Sequence, residues 1–192
     1  MVVNKRIIYL IMAIGAIVLV VELAWAYSAL YKTSQNTPPA VKSILDSSAK
    51  VSLTTSSTNV KVGDQISVVI TITSTALTDG TDLIINFDPK ALEVVPITNV
   101  PVSGGSIYTE YPNNKLDLTK GIIAVSGISS EKDGRLANGV FGTIIFKAKA
   151  LGNTNINVMY SPGATDESNV IETATGKDIL GSVQNLQLNI TL

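Results

Sequence analysis

Between Val60 and Ile72 the chain reads VKVGDQISVVITI, and its β-branched residues recur at every second position on either side of Gly63-Asp64. Only an extended strand with one buried face puts residues two apart on the same side, so this stretch predicts half-buried strands around a turn. Val51–Leu53 opens the same texture, and Leu83-Ile84-Ile85-Asn86-Phe87 continues it. Asp88-Pro89 ends that strand, because proline has no N–H to give to a ladder. Leu92–Val95, Gly121–Ser126, Gly142–Lys149, Ile156–Tyr160 and Val183–Leu192 are further β-branched runs separated by Gly, Pro, Asn and Asp. Eight or nine such strands without a helical period predict an all-β domain over residues 50–192, a β-sandwich or jelly roll. Phe87, Phe141 and Phe146 are its expected core aromatics.

The first fifty residues obey a different rule. Ile7 to Val21 is an unbroken apolar run, and counted to Ala26 the segment has 20 residues, about 30 Å as a helix. Lys5 and Arg6 precede it, which predicts a cytoplasmic N-terminus (residues 1–6) and an extracytoplasmic C-terminal domain. Residues 7–27 therefore read as a single transmembrane anchor. Glu22 sits at its outer edge, with Trp25, Tyr27 and Tyr31 at the headgroup level. The same order of basic pair, apolar run and Ala24-Trp25-Ala26 also describes a secretory signal peptide, and cleavage after Ala26 would release the domain. Residues 28–49 are rich in Ser, Thr and Pro, with Pro38-Pro39 stiffening them locally, and read as a linker.

Composition narrows the chemistry. The chain has neither histidine nor cysteine, which removes the commonest general base, the thiolate nucleophile and the usual transition-metal ligands. Its net charge is −1, and from Lys50 onward 10 Lys and Arg stand against 13 Asp and Glu. That is no footprint for nucleic acid. With so many carboxylates some pair will be spaced for glycoside hydrolysis by chance, and nothing singles one out. The expectation is a binding protein and not an enzyme.

Several motifs then become specific. Val60-Lys61-Val62-Gly63-Asp64-Gln65-Ile66 resembles the opening turn of cohesin modules. Leu83 to Val95 resembles their hydrophobic strand followed by D-P-x-x-L-E-V-V. Gly121–Ser130 and Gly139–Ala150 are similar to two later strands, and Gly181–Leu188 to the closing one. The resemblance spans about Lys50 to Leu192 and implies a nine-stranded jelly-roll sandwich related to some carbohydrate-binding modules. It also implies calcium-assisted docking of dockerin modules across the flat side of one sheet, in cellulosome-type assemblies that degrade polysaccharide. It assigns no contact residue.

The candidate site residues are few. Tyr108, Tyr111 and Tyr160 are the hydroxylated aromatics of the domain, and Tyr108 and Tyr111 fall in a polar, Pro- and Gly-flanked stretch. They are the candidate contacts to a partner or a polysaccharide. Asp79-Gly80-Thr81-Asp82 is the nearest approach to an ion loop, making Asp79 and Asp82 the candidate calcium ligands. No other cofactor is implied. The leading expectation is a membrane-anchored scaffolding or adhesion module with a dockerin-type protein partner. Alternatives are a surface-displayed carbohydrate-binding module, or a structural subunit of an envelope or appendage complex assembled through Glu22.

Overall fold

The computed structural model describes Glu22 and residues 48–164 and 166–192. Lys5, Arg6, Trp25, Tyr27, Tyr31 and the linker as far as Ser47 lie outside the described residues, and so does the expected anchor except for Glu22, which is exposed. Among the described residues no helix is long and apolar enough to cross a membrane. Met1–Asp46 and Ser47–Leu192 cluster as separate units, and the second is the β domain.

Twelve strands build that domain. They are β1 (Ala49–Thr54), β2 (Asn59–Lys61), β3 (Gln65–Phe87), β4 (Leu92–Val94), β5 (Ser103–Gly104) and β6 (Glu110–Asp117). After these come β7 (Ile122–Ile128), β8 (Arg135–Ala148), β9 (Gly152–Val158), β10 (Asn169–Glu172), β11 (Leu180–Gln184) and β12 (Leu186–Thr191). The organising element is β3, whose 23 residues serve two sheets in turn. Its first part, Gln65 to Thr73, lies between β1 and β8. Its last part, Gly80 to Phe87, lies between β7 on one side and β9 and β10 on the other. One wing therefore runs β11-β1-β3-β8, with β4 and β5 on the outer edge of β8. The other runs β6-β7-β3-β9-β12-β2.

The alternation seen in the sequence is what closes the two wings on each other. Ile66, Val68, Ile70 and Ile72 from the first part of β3, and Leu83, Ile85 and Phe87 from the last, are buried in one core. Ring packing ties the wings directly: Phe87 meets Phe146 of β8 edge-on at 5.2 Å between centroids. Between the two parts the phase of the strand slips, because Thr78 and Thr81, three apart, are both buried. That slip lets one strand present its apolar face inward in both wings.

The last strand makes a matching switch. β11 runs parallel to β1 in the first wing, and after Asn185 the chain pairs antiparallel with β9 in the second as β12. The Asn185 side-chain carbonyl accepts the Val158 N–H at 2.9 Å at the changeover. Twelve strands stand against the expected nine because β5, β6 and β10 are additional and the closing strand is split, while the runs at 66–72 and 83–87 form the single strand β3. The expected domain start at residue 50 falls within β1.

Candidate docking face

The outer face of the β6-β7-β3-β9 sheet is set by register. Asp117, Ile122, Asn86 and Asn157 form one cross-strand row, and Lys115, Ala124 and Ile84 the next. Asn113, Ser126 and Asp82 form a third. Their strand neighbours Ile123, Val125, Leu83 and Ile85 fill the core, so these rows must look outward. Ile84, Ile122 and Ala124 are half-buried at the centre, and Leu118 stands 59% exposed in the turn beyond β6.

Two shallow depressions mark this face. One, of about 520 Å3, is lined by Lys115, Leu116, Asp117, Leu118, Ile122 and Ala124. The other, of about 250 Å3, includes Asp82, Ile84, Asn113, Ser126, Asp166, Glu167 and Asn169. The face thus has an apolar middle, a Lys115–Asp117 side and an acidic corner. In that corner Glu167 Oε2 and Asn169 Oδ1 are buried acceptors with no hydrogen bond from a described residue. Asp117 has a structural duty as well, since its Oδ1 accepts the Thr119 and Lys120 N–H groups at 3.0 and 3.1 Å and fixes the turn into β7.

The tyrosines do not lie on it. Tyr108 is 3% exposed, its hydroxyl bonded to Thr78 Oγ1 at 2.8 Å and Thr81 Oγ1 at 3.0 Å, its ring edge-on to Phe141 at 6.0 Å. The expectation that it contacts a ligand is corrected: the ring covers Gly127, where a Cβ would come within 2.6 Å of it. Tyr111 is half-buried, packs on Phe141 at 5.4 Å, donates its hydroxyl to the Phe141 carbonyl and accepts the Gly105 N–H. Burial pushes both phenols above their ordinary value, with the Thr78 and Thr81 hydrogen bonds pulling Tyr108 back in part. Both residues pin the polar segment before β6 to the core. Tyr160 is half-buried against the core just beyond β9.

Asp79 and Asp82 are exposed and lie in the extended backbone of β3, not in a loop. Asp82 shares its depression with Asp166 and Glu167, but among the described residues no group of three or more His, Cys, Asp or Glu is placed to hold a metal ion. Calcium takes six to eight converging oxygens, more than these two strand carboxylates supply by themselves. The sequence reading missed Ile84, Ile122, Ala124 and Leu118. A signal for the first two existed: each is the first of an Ile-Ile doublet, so one isoleucine of the two had to face outward.

The comparisons with known proteins bear on the same unit. The cohesin domain model matches residues 49–184. The chain belongs to the cohesin-domain family. A type II cohesin domain from the cellulosome of Acetivibrio cellulolyticus is 19% identical, with 74% of this chain and 95% of that one covered and a TM-score of 0.63. The seventh ScaB type I cohesin from Pseudobacteroides cellulosolvens is 21% identical, with 75% and 92% covered and a TM-score of 0.57. The third cohesin ScaC of Acetivibrio cellulolyticus, solved in complex with the ScaB dockerin, is 18% identical, with 75% and 99% covered and a TM-score of 0.58. At these identities the likeness is one of fold. No curated protein sequence matches the chain. The expected β-sandwich is therefore the cohesin fold, and cohesin domains are protein-binding modules without catalytic function.

Proposed function

We propose that this cohesin domain docks a dockerin-type protein module on the outer face of β6, β7 and the last part of β3. The observation that carries the reading is the anatomy of that face in a member of this family. It joins half-buried Ile84, Ile122 and Ala124 at the centre to a rim of Lys115, Asp117, Asp82 and Glu167. An apolar middle inside a polar rim is what a non-obligate protein interface needs. The exposed carboxylates of Asp82 and Asp166 supply acceptors for a partner's donors at the acidic corner.

The test is calorimetric titration of the full-length chain with a panel of dockerin modules, with and without calcium. Binding that Ile122→Asp abolishes and Lys147→Ala, on the other wing, leaves unchanged is the expected result. Silence across the panel in millimolar calcium, or binding indifferent to Ile122→Asp, overturns the assignment. We infer further that residues 7–27 anchor the protein and hold the domain on the extracytoplasmic side of the membrane, at the cell surface or in the periplasm. The support is the uncharged run from Ile7 to Val21 behind Lys5 and Arg6. Loss of the chain from membranes on alkaline carbonate washing would overturn that inference.

A further inference from the structure

Beyond β3 the same outer sheet changes character. Asn153, Asn155 and Asn157 alternate outward along β9, Gln187 and Asn189 stand opposite them on β12, and Asn59 follows on β2. Register places Asn155 against Gln187, and Asn153, Asn189 and Asn59 in one row. Asparagine is depleted in strands because its short polar side chain competes with the backbone and packs poorly on a pleated surface. Six carboxamides on three adjacent strands therefore carry a propensity penalty that packing does not offset, since five are exposed and Asn157 is half-buried.

Internal bonding does not account for them either. Asn189 Nδ2 donates to Asn59 Oδ1 at 3.1 Å, while the side chains of Asn153, Asn155, Asn157 and Gln187 make no hydrogen bond to a described residue. Each free carboxamide offers two donors and an acceptor with two lone pairs. Strand geometry spaces them about 6.7 Å apart along β9 and about 4.8 Å apart across strands. Among the described residues the outward positions of these strands carry no aromatic ring and no large apolar side chain. Exposed Val62, Leu151 and Leu192 flank their ends, and the charges at the rim are Lys61 and Asp64, whose carboxylate accepts the Lys61 N–H at 2.9 Å. The field lacks the apolar centre that a protein interface is built on.

We propose that this amide field is a second binding surface, adjoining the docking face at Asn157 on the same sheet, for an extended neutral β-linked polysaccharide. The match is one of polarity and shape. Sugar hydroxyls, like carboxamides, both donate and accept, and a ribbon-like neutral chain can lie flat on a sheet without meeting a charge. Without a stacking ring each contact is weak, so the surface works by repetition along a polymer. The tyrosines of the domain, in the core or packed against it, take no part.

Two-dimensional amide spectra of the full-length chain, titrated with cellohexaose, xylohexaose and mannohexaose, test the proposal. The side-chain NH2 signals of Asn153, Asn155, Asn157 and Gln187 shift with at least one of the three sugars, while those of β6 and β7 stay in place. The pair Asn155→Ala with Gln187→Ala lowers that affinity about tenfold with the backbone spectrum otherwise unchanged. Silence with all three sugars overturns the proposal, and so do shifts confined to other faces. Tighter binding of an anionic oligogalacturonate, or amide shifts that follow protein concentration alone, as in pairing of two copies, overturns it equally.

Discussion

Tyr108 shows how far a residue's surroundings decide its role. Its polar neighbours in sequence suggest a loop at the surface, yet its hydroxyl is the shared partner of Thr78 and Thr81, the two threonines at the phase slip of β3. Replacing it by Phe keeps the ring packing and leaves Thr81 Oγ1 without its one bond, which lowers stability by about 1–2 kcal/mol at neutral pH. Thr78 keeps its bond to the Arg135 carbonyl. The pH dependence has a definite sign. The native state holds the Tyr108 proton above the 10.0 at which the free phenol releases it. Between that pH and the raised native value the unfolded chain binds fewer protons, so stability is full below pH 10 and falls as pH rises beyond it. Urea midpoints from pH 8 to 11 should therefore fall less steeply for Tyr108→Phe than for the parent chain, and equal slopes would sink this account. A second residue is conformationally out of place: Thr98 has φ 50 and Asn99 φ 68, in a turn closed by mutual Ile97–Val100 hydrogen bonds. Left-handed backbone strains a β-branched residue, and Asn tolerates it. Thr98→Asn should raise the thermal midpoint, by a stability gain of about 0.5–1 kcal/mol.

At the scale of the element, the approach of β7 to β3 depends on one glycine. Gly121 has φ +66, its carbonyl accepts the Phe87 N–H at 2.9 Å, and a Cβ there would lie 2.1 Å from the Phe87 carbonyl oxygen. Gly121→Ala therefore combines left-handed strain with a backbone clash that no side-chain rotation relieves. A loss of about 3 kcal/mol or more in urea unfolding is expected, and a variant within about 0.5 kcal/mol of the parent would show that the β6–β7 turn refits freely. The strands themselves were the most legible part of the sequence, because period-two burial writes itself into residue choice, as in Ile66, Val68, Ile70 and Ile72. What stayed hidden were the edges. β6 contains Pro112, Asn113 and Asn114 and pairs on one side with β7 alone, so its residues carry little alternation. The docking face was half legible for a related reason. An outward isoleucine in an Ile-Ile doublet reads as part of a buried run until register assigns the two residues to opposite faces. Asp79-Gly80 reads as a turn in the sequence, whereas here Gly80 lies inside a strand that is changing wings.

For the whole molecule the closing segment matters out of proportion to its length. β11 completes the first wing beside β1, and β12 alone links β9 to β2 in the second. The family match ends at residue 184, between these two strands. A chain stopped after Gln184 would keep β11 and lose Leu186, Leu188 and Ile190, all buried. Three such side chains contribute about 1.5–3 kcal/mol each by removal of apolar surface from water, a total of about 5–9 kcal/mol. Domains of this size are stable by only about 5–15 kcal/mol, so the loss is of the order of the whole. Val60 would also lose its ladder partner, and Asn185 would no longer cap Val158. The expected outcome is a chain without a cooperative urea transition and with lost dispersion of its amide spectrum. Adding residues 185–192 back as a separate peptide should restore both in a concentration-dependent way. If the shortened chain instead unfolds cooperatively with only a lowered midpoint, then the β3 crossing and the ring packing of Phe87 on Phe146 suffice to hold the wings together, and β12 serves mainly to display its carboxamides.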